Sequence, residues 1–249
     1  MPRARSVSLL KSARRAARPA STRPRARLRR EAAAPAIPGE TLTEQAYRAI
    51  EERIVTLQLK PGDILSEQML SAATDIGRTP IREALQRLAR EGLVTILPRK
   101  GILVSDMNPR SQLLVLEVRR ELERLLSRAG AERGTKEQKA ELLEIARGMD
   151  QAARDNDDIV FMRLDRELNR LMIEAAHNDY AARSMKLLQG LSRRFWYMHY
   201  RMAADLPLCA RLHAGQARSI AKGDAEAAAR ASDKLMDYVA SFTRATVSV

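Results

Sequence analysis

Residues 61–101 constrain this chain more than any other stretch. PGDILSEQML is followed by GRTPIREALQRLAREGLVTIL and then PRKG, which orders as a helix, a turn, a second helix and a short basic hairpin. In the second helix Ile81, Leu85 and Leu88 recur at the i, i+4, i+7 spacing of one buried face, leaving Arg78, Thr79, Arg82 and Gln86 on the other. Gly77 and Thr79 supply start signals. Pro80 falls in the first turn, where its missing amide hydrogen leaves no intrahelical bond unmade. The helix so oriented offers two guanidinium forks four residues apart, Arg78 and Arg82, suited to phosphate oxygens or to O6 and N7 of guanine in a major groove. Residues 94–97 and 102–104 are β-prone around a turn at 98–101. That predicts a wing whose tip residues, Arg99 and Lys100, lie beside backbone phosphates. A helical hairpin with a merely solvated basic face is the blander reading, and it does not require these features in this order.

The same residues resemble the GntR family of bacterial transcription regulators. Pro61-Gly62, Ser66-Glu67, Leu70, Arg78-Thr79-Pro80, Arg82-Glu83-Ala84-Leu85, Leu88, Glu91-Gly92-Leu93 and Gly101 match its reader-domain pattern over residues 42–104. The resemblance implies operator contact by Arg78, Thr79 and Arg82, with Gly101 letting the wing approach the minor groove. Gln68 stands where many members carry an arginine, and Gly77 where they carry Ser or Thr; both departures bear on which operator is read.

The formal charge of +13 points to a polyanionic partner, but it is unevenly placed. Residues 1–38 contain eleven Lys or Arg and one acid, Glu31, a net of +10, so the rest carries +3. This Arg-, Ala-, Pro- and Ser-rich leader is expected to be disordered. It reads as a polybasic arm that adds salt-sensitive DNA affinity, as a solvated tail, as a misassigned start or as a transit peptide. The single cysteine, Cys209, excludes an intrachain disulfide framework, and no apolar run reaches the ~18 residues of a membrane span. A cytoplasmic, nucleoid-associated protein is expected.

Past a turn-rich link at 105–109 the chain reads as helix. Segments start near Ser111, Lys136, Asp157, Asp179, Pro207 and Asp224, with breaks at Gly134, Asn156, Asn178, Asp205 and Gly223. The expected fold is mostly α: a basic leader at 1–38, a winged helix-turn-helix at 39–105, and an all-helical antiparallel bundle of six to seven helices at 106–249. The bundle is similar to the FCD branch of the same family, through Glu117-Val118-Arg119 with Leu122-Glu123, Asp165 with Leu168, Ala176 and Asn178, and His213 through Ile220 to Gly223-Asp224.

Members of that branch often hold a divalent metal, Zn, Ni or Mn, with an Asp, a His four residues later, and a His on each of the last two helices. Here Asp165 and His213 match, whereas Asn169 and Leu235 take the other two positions. Two readings stand: a metal on Asp165 and His213, or a buried hydrogen-bonded pair in an organic-ligand pocket. Arg119 reads as a fork for an effector carboxylate or as an exposed pair with Glu123. Four of nine aromatics, Phe195, Trp196, Tyr197 and Tyr200, lie within six residues, so at least one of Trp196, Tyr197 and Tyr200 is expected in the pocket wall.

The function expected is a homodimeric repressor that binds double-stranded operator DNA and responds to a small metabolite, a carboxylate, in the helical domain. No membrane partner is expected. The rival classes are an architectural DNA binder driven by the leader and a metal-dependent enzyme built on Asp165 and His213. The chain has no phosphate-cradling glycine loop, nucleophile elbow or HExxH spacing to support an enzyme.

Overall fold

A reciprocal cap opens the reader. The Thr41 hydroxyl accepts from the Glu44 amide while the Glu44 carboxylate accepts from the Thr41 amide, and helix α1 (Leu42–Val55) follows. Then come β1 (Ile64–Leu65), α2 (Glu67–Thr74), α3 (Arg78–Arg90), β2 (Val94–Leu97) and β3 (Gly101–Val104). The computed structural model describes residues 39–203 and 205–247, so the leader readings, which concern 1–38, lie outside the described residues. The strands pair antiparallel in the order β1-β3-β2, with Leu65 opposite Ile102 and Leu97 opposite Gly101. β1 was not foreseen, because two residues are too few to display a period of two. Ile81, Ala84, Leu85 and Leu88 bury the inner face of α3 against Ile50, Ile54 and Leu70, leaving Arg78, Thr79, Arg82 and Gln86 exposed.

The second unit comprises α4 (Pro109–Arg133), α5 (Lys136–Asp155), α6 (Asp158–Ala175), α7 (Asp179–Lys186), α8 (Gln189–Ala203), α9 (Leu206–Ala221) and α10 (Ala225–Val247). Asn108, Thr135, Asp157, Asn178 and Asp205 each cap the next helix through a side-chain oxygen. α4 packs on α10 and α5 on α9, around Leu126, Leu142, Met149, Leu168, Leu171 and Ile220. No helix among the described residues is long and apolar enough to cross a membrane.

One expected helix is two. The segment starting at Asp179 breaks after Lys186, where the Leu187 and Leu188 amides donate to the Ser184 and Met185 carbonyls three residues back. The tightened turn restarts α8 in a new phase. Its first turn then abuts the reader: a Cβ on Gly190 would stand 2.7 Å from Leu93 Cδ1, and Leu191 packs against the reader core. The chain is thus a winged helix-turn-helix followed by a helical bundle, with α8 bridging them.

Candidate DNA interface and effector pocket

α2 and α3 form the helix-turn-helix. Ser66 caps α2 by accepting from the Met69 amide, Asp75 ends it in the left-handed conformation, and α3 begins at Arg78 with no side-chain cap because Gly77 has none to offer. Arg78 and Thr79 stand exposed at the helix start, and Gln68 is exposed on α2. Arg82 departs from the expectation of a free fork. Its Nε and Nη2 donate to the two carboxylate oxygens of Glu67 at 2.8 and 2.9 Å, although its side chain is 61% exposed. The pair presets the guanidinium plane and occupies its Nε–Nη2 edge.

At the wing tip Pro98 is followed by Arg99 at φ +60°, and the Lys100 amide closes onto the Leu97 carbonyl at 3.0 Å, in the manner of a type II turn. Arg99 and Lys100 are exposed there. Gly101 has a requirement internal to the sheet. It sits at φ +106°, and a Cβ would lie 2.6 Å from the Leu65 carbonyl oxygen of β1. The tight pairing of β3 on β1 therefore accounts for this glycine without reference to a groove.

The pocket in the bundle draws on five helices. Arg119 (α4), Phe161 and Asp165 (α6), Arg193 and Trp196 (α8), His213 (α9) and Leu235 (α10) line it, around a space of about 30 Å³. Asp165 is its centre. Oδ1 receives the Asn169 amide at 2.9 Å and faces His213 Nε2 at 3.2 Å, while Oδ2 receives Arg193 Nε at 2.9 Å. Burial alone would raise the Asp165 pKa, but His213, Arg193 and Arg119 outweigh it and bring it down to about 2. Burial would likewise lower His213; the neighbouring Cys209 and the Asp165 carboxylate outweigh that and lift it well above its ordinary value. The two form an ion pair at neutral pH. His213 Nδ1 is 2.8 Å from the Cys209 carbonyl, which fixes the ring.

This donor set does not fit a divalent cation. Both Asp165 oxygens are engaged by N–H donors, the Asn169 amide nitrogen turns toward them, and two cationic side chains stand alongside. Leu235, at the fourth position, is a buried packing residue, and no group of three His, Cys, Asp or Glu among the described residues could hold an ion. Of the two readings, these contacts fit the buried hydrogen-bonded pair of Asp165 and His213 rather than a Zn, Ni or Mn site.

The expected effector residues divide. Arg119 does pair with Glu123, at 2.6 Å, but the pair is buried rather than exposed. Of the aromatics, Trp196 lines the pocket; Tyr200 stacks on Trp196 from outside, ring centroids 4.8 Å apart, with its hydroxyl on Asp158. Tyr197 leans on Tyr200 and does not reach the space. Asn169 stands one turn further along α6, donating to the Asp165 carbonyl and carboxylate and accepting from Gln189 of α8. Two buried donors of the pocket wall have no hydrogen-bond partner: Arg119 Nε and Trp196 Nε1.

Sequence reasoning passed over Arg193. Its Nε holds Asp165, its Nη2 the Met162 carbonyl at 2.6 Å, and its Nη1 Glu51 on α1 of the reader. Beside it Arg194, 1% exposed, donates to the Ser105 carbonyl of the link at 2.8 Å. Read alone, Arg193-Arg194 looks like a solvated charge run. The available signal was helical phase, since Arg193, Trp196 and Tyr200 share one face at i, i+3, i+7.

Comparison with known proteins places both units. The profile described as "Bacterial regulatory proteins, gntR family" matches residues 42–104, and that of the FCD domain matches 114–238. The chain is 25% identical over 207 residues to the HTH-type transcriptional repressor RspR of Escherichia coli, covering 83% of this chain and 91% of that protein. It is 42% identical over 71 residues to an uncharacterized HTH-type transcriptional regulator of Streptomyces ambofaciens, covering 28% of this chain and 30% of that protein. The solved structure of E. coli McbR/YncC has the same fold, with a TM-score of 0.70 at 20% identity over 84% of this chain and 99% of that one.

Proposed function

Because the chain belongs to the GntR family of bacterial regulatory proteins, in its FCD branch, and is a DNA-binding transcription regulator, we propose that it is a homodimeric repressor whose hold on operator DNA is modulated by a small carboxylate in the bundle pocket. One observation carries the ligand class. Arg119 Nε and Trp196 Nε1 are buried, unpartnered donors in the wall of one space, and the His213 and Arg193 cations stand beside them. A carboxylate offers acceptor oxygens to these donors and a charge opposite to the neighbouring cations. The apolar remainder of the wall, Phe161, Met162, Leu235, Met236 and Val239, suits a short hydrocarbon portion. The space is close to the ~30 Å³ share of one liquid water, so ligand entry must move the wall.

Repression is favoured by the name of the E. coli relative. The homodimer is favoured by selectivity, since one small reader makes too few contacts to select among competing genomic sites. It is favoured also by an apolar face on α4, where Leu114, Val118 and Leu125 are 63%, 54% and 45% exposed. The test is selection of bound DNA from a random pool, then fluorescence anisotropy on the recovered sequence with a panel of short-chain carboxylates. The expected result is a palindrome, released by at least one acid that also shifts the emission of Trp196. A pool that yields no enriched sequence, or an operator affinity indifferent to every acid, sinks the reading.

A further inference from the structure

A second space opens where the link before α4 meets α8, about 140 Å³ against about 30 Å³ in the bundle pocket, and the two share no wall residue. At ~30 Å³ per liquid water it has room for about four to five waters, enough for a phosphate or a short carboxylate. Its one basic wall residue is Arg194. That side chain is 1% exposed, and its Nη1 and Nη2 donate to main-chain carbonyls, of Ser105 at 2.8 Å and Asp106 at 3.4 Å. Its Nε is buried with no hydrogen-bond partner. Neighbouring Arg193 pairs with two carboxylates, whereas Arg194 makes no ion pair among the described residues.

The wall holds one acid, Asp106, which is exposed and meets the guanidinium only through its main-chain carbonyl. Burial outweighs its attraction and brings the Arg194 pKa down to about 10, so the positive charge is only partly compensated where it lies. The first turn of α4 adds to that field, since Asn108, Ser111 and Gln112 line the same space. Pro109 has no amide hydrogen, Asn108 Oδ1 takes the Arg110 amide, and the Gln112 amide bonds the Asn108 carbonyl. The Ser111 amide is left without a bond among the described residues. A helix N-terminus with a free amide favours negative charge, and so does a buried cation with a vacant donor. Water can answer the vacant hydrogen bond but not the charge.

We propose that this opening is a binding site for a small oxyanion, held on Arg194 Nε in the field of the α4 N-terminus. The same guanidinium holds the Ser105 and Asp106 carbonyls, so occupancy bears on how the link carries the reader.

Calorimetric titration of the full-length protein, without DNA, tests the assignment with inorganic phosphate in one arm and acetate, propionate and succinate in the other. One-to-one binding is expected in at least one arm, and the arm that binds names the source of the oxyanion. Arg194→Lys keeps the charge but removes the Nε donor, and should weaken binding about tenfold or more. Ser111→Phe places a ring in the space from an exposed position and should abolish it. No binding in either arm, or binding indifferent to Ser111→Phe, overturns the site. Ser111→Phe keeps the test decisive should Arg194→Lys loosen the link. The space is separate from the bundle pocket and no DNA enters the assay, so failure here and failure of the repressor reading are distinct outcomes.

Discussion

Asp165 and His213 show how two burials that each oppose charge combine into a charged pair. Four of the five surrounding helices face them with a titratable or polar group, Arg119 from α4, Asn169 from α6, Arg193 from α8 and Cys209 from α9, while α10 offers only Leu235, Met236 and Val239. The sign of the pH dependence follows from the directions. His213 has a folded pKa above its unfolded value near 6.5, so its contribution is complete below about pH 6.5 and is lost as pH rises through the folded value. Asp165 is depressed to about 2, so its contribution is present above its ordinary 3.8 and lost only as pH falls toward 2. The melting temperature of the wild type should therefore exceed that of His213→Asn most at about pH 5–6 and by less above, at about 2–4 °C per kcal/mol for a chain of this size. A gap that widens with rising pH would refute the ion pair. Asp165 and His213 could be nominated from sequence as neighbours, but their charge states depend on Arg193, whose helix phase alone hinted at its place.

Among the elements, α3 was legible because its information is local. A buried stripe at Ile81, Leu85 and Leu88 and a proline in the first turn need no distant partner to be read. The wing was equally legible as a hairpin, but the reason for its glycine was not, because the atom that forbids a side chain at Gly101 belongs to Leu65, thirty-six residues earlier. Gly101→Ala would combine a disfavoured φ of +106° with a backbone clash at 2.6 Å. It should destabilise the reader by about 1–3 kcal/mol, seen as a lower denaturant midpoint, whereas Lys100→Ala at the same tip should leave stability within about 0.5 kcal/mol. Equal midpoints for the two variants would return Gly101 to a role on DNA alone. The division of α7 from α8 escaped the sequence for a related reason: residues 186–189 carry no Gly or Pro, and the break follows from docking Gly190 on Leu93.

At the scale of the molecule, Arg193 is the shortest polar route between pocket and reader: Asp165 on one side, Glu51 of α1 on the other, both buried. If that route carries the response, Asp165→Asn should change operator affinity in the wild-type background and change it less when Glu51 is already Gln. The non-additivity expected for groups sharing one guanidinium is about 0.5–3 kcal/mol in a double-mutant cycle of anisotropy titrations. Purely additive effects would assign the cluster to stability alone. The sequence by itself determined the family, the order of all elements but β1 and the α7–α8 division, and the solvent-facing side of α3, because those rest on contiguous motifs and on periods of 3.6 and 2 that each segment carries within itself. Tertiary structure alone decided that Arg193 joins the Asp165–His213 pair, that Arg82 is held by Glu67, and that α8 serves both units. Each of those is an encounter between side chains from separate helices, and charge states and occupied hydrogen-bonding edges exist only once burial has brought them within reach.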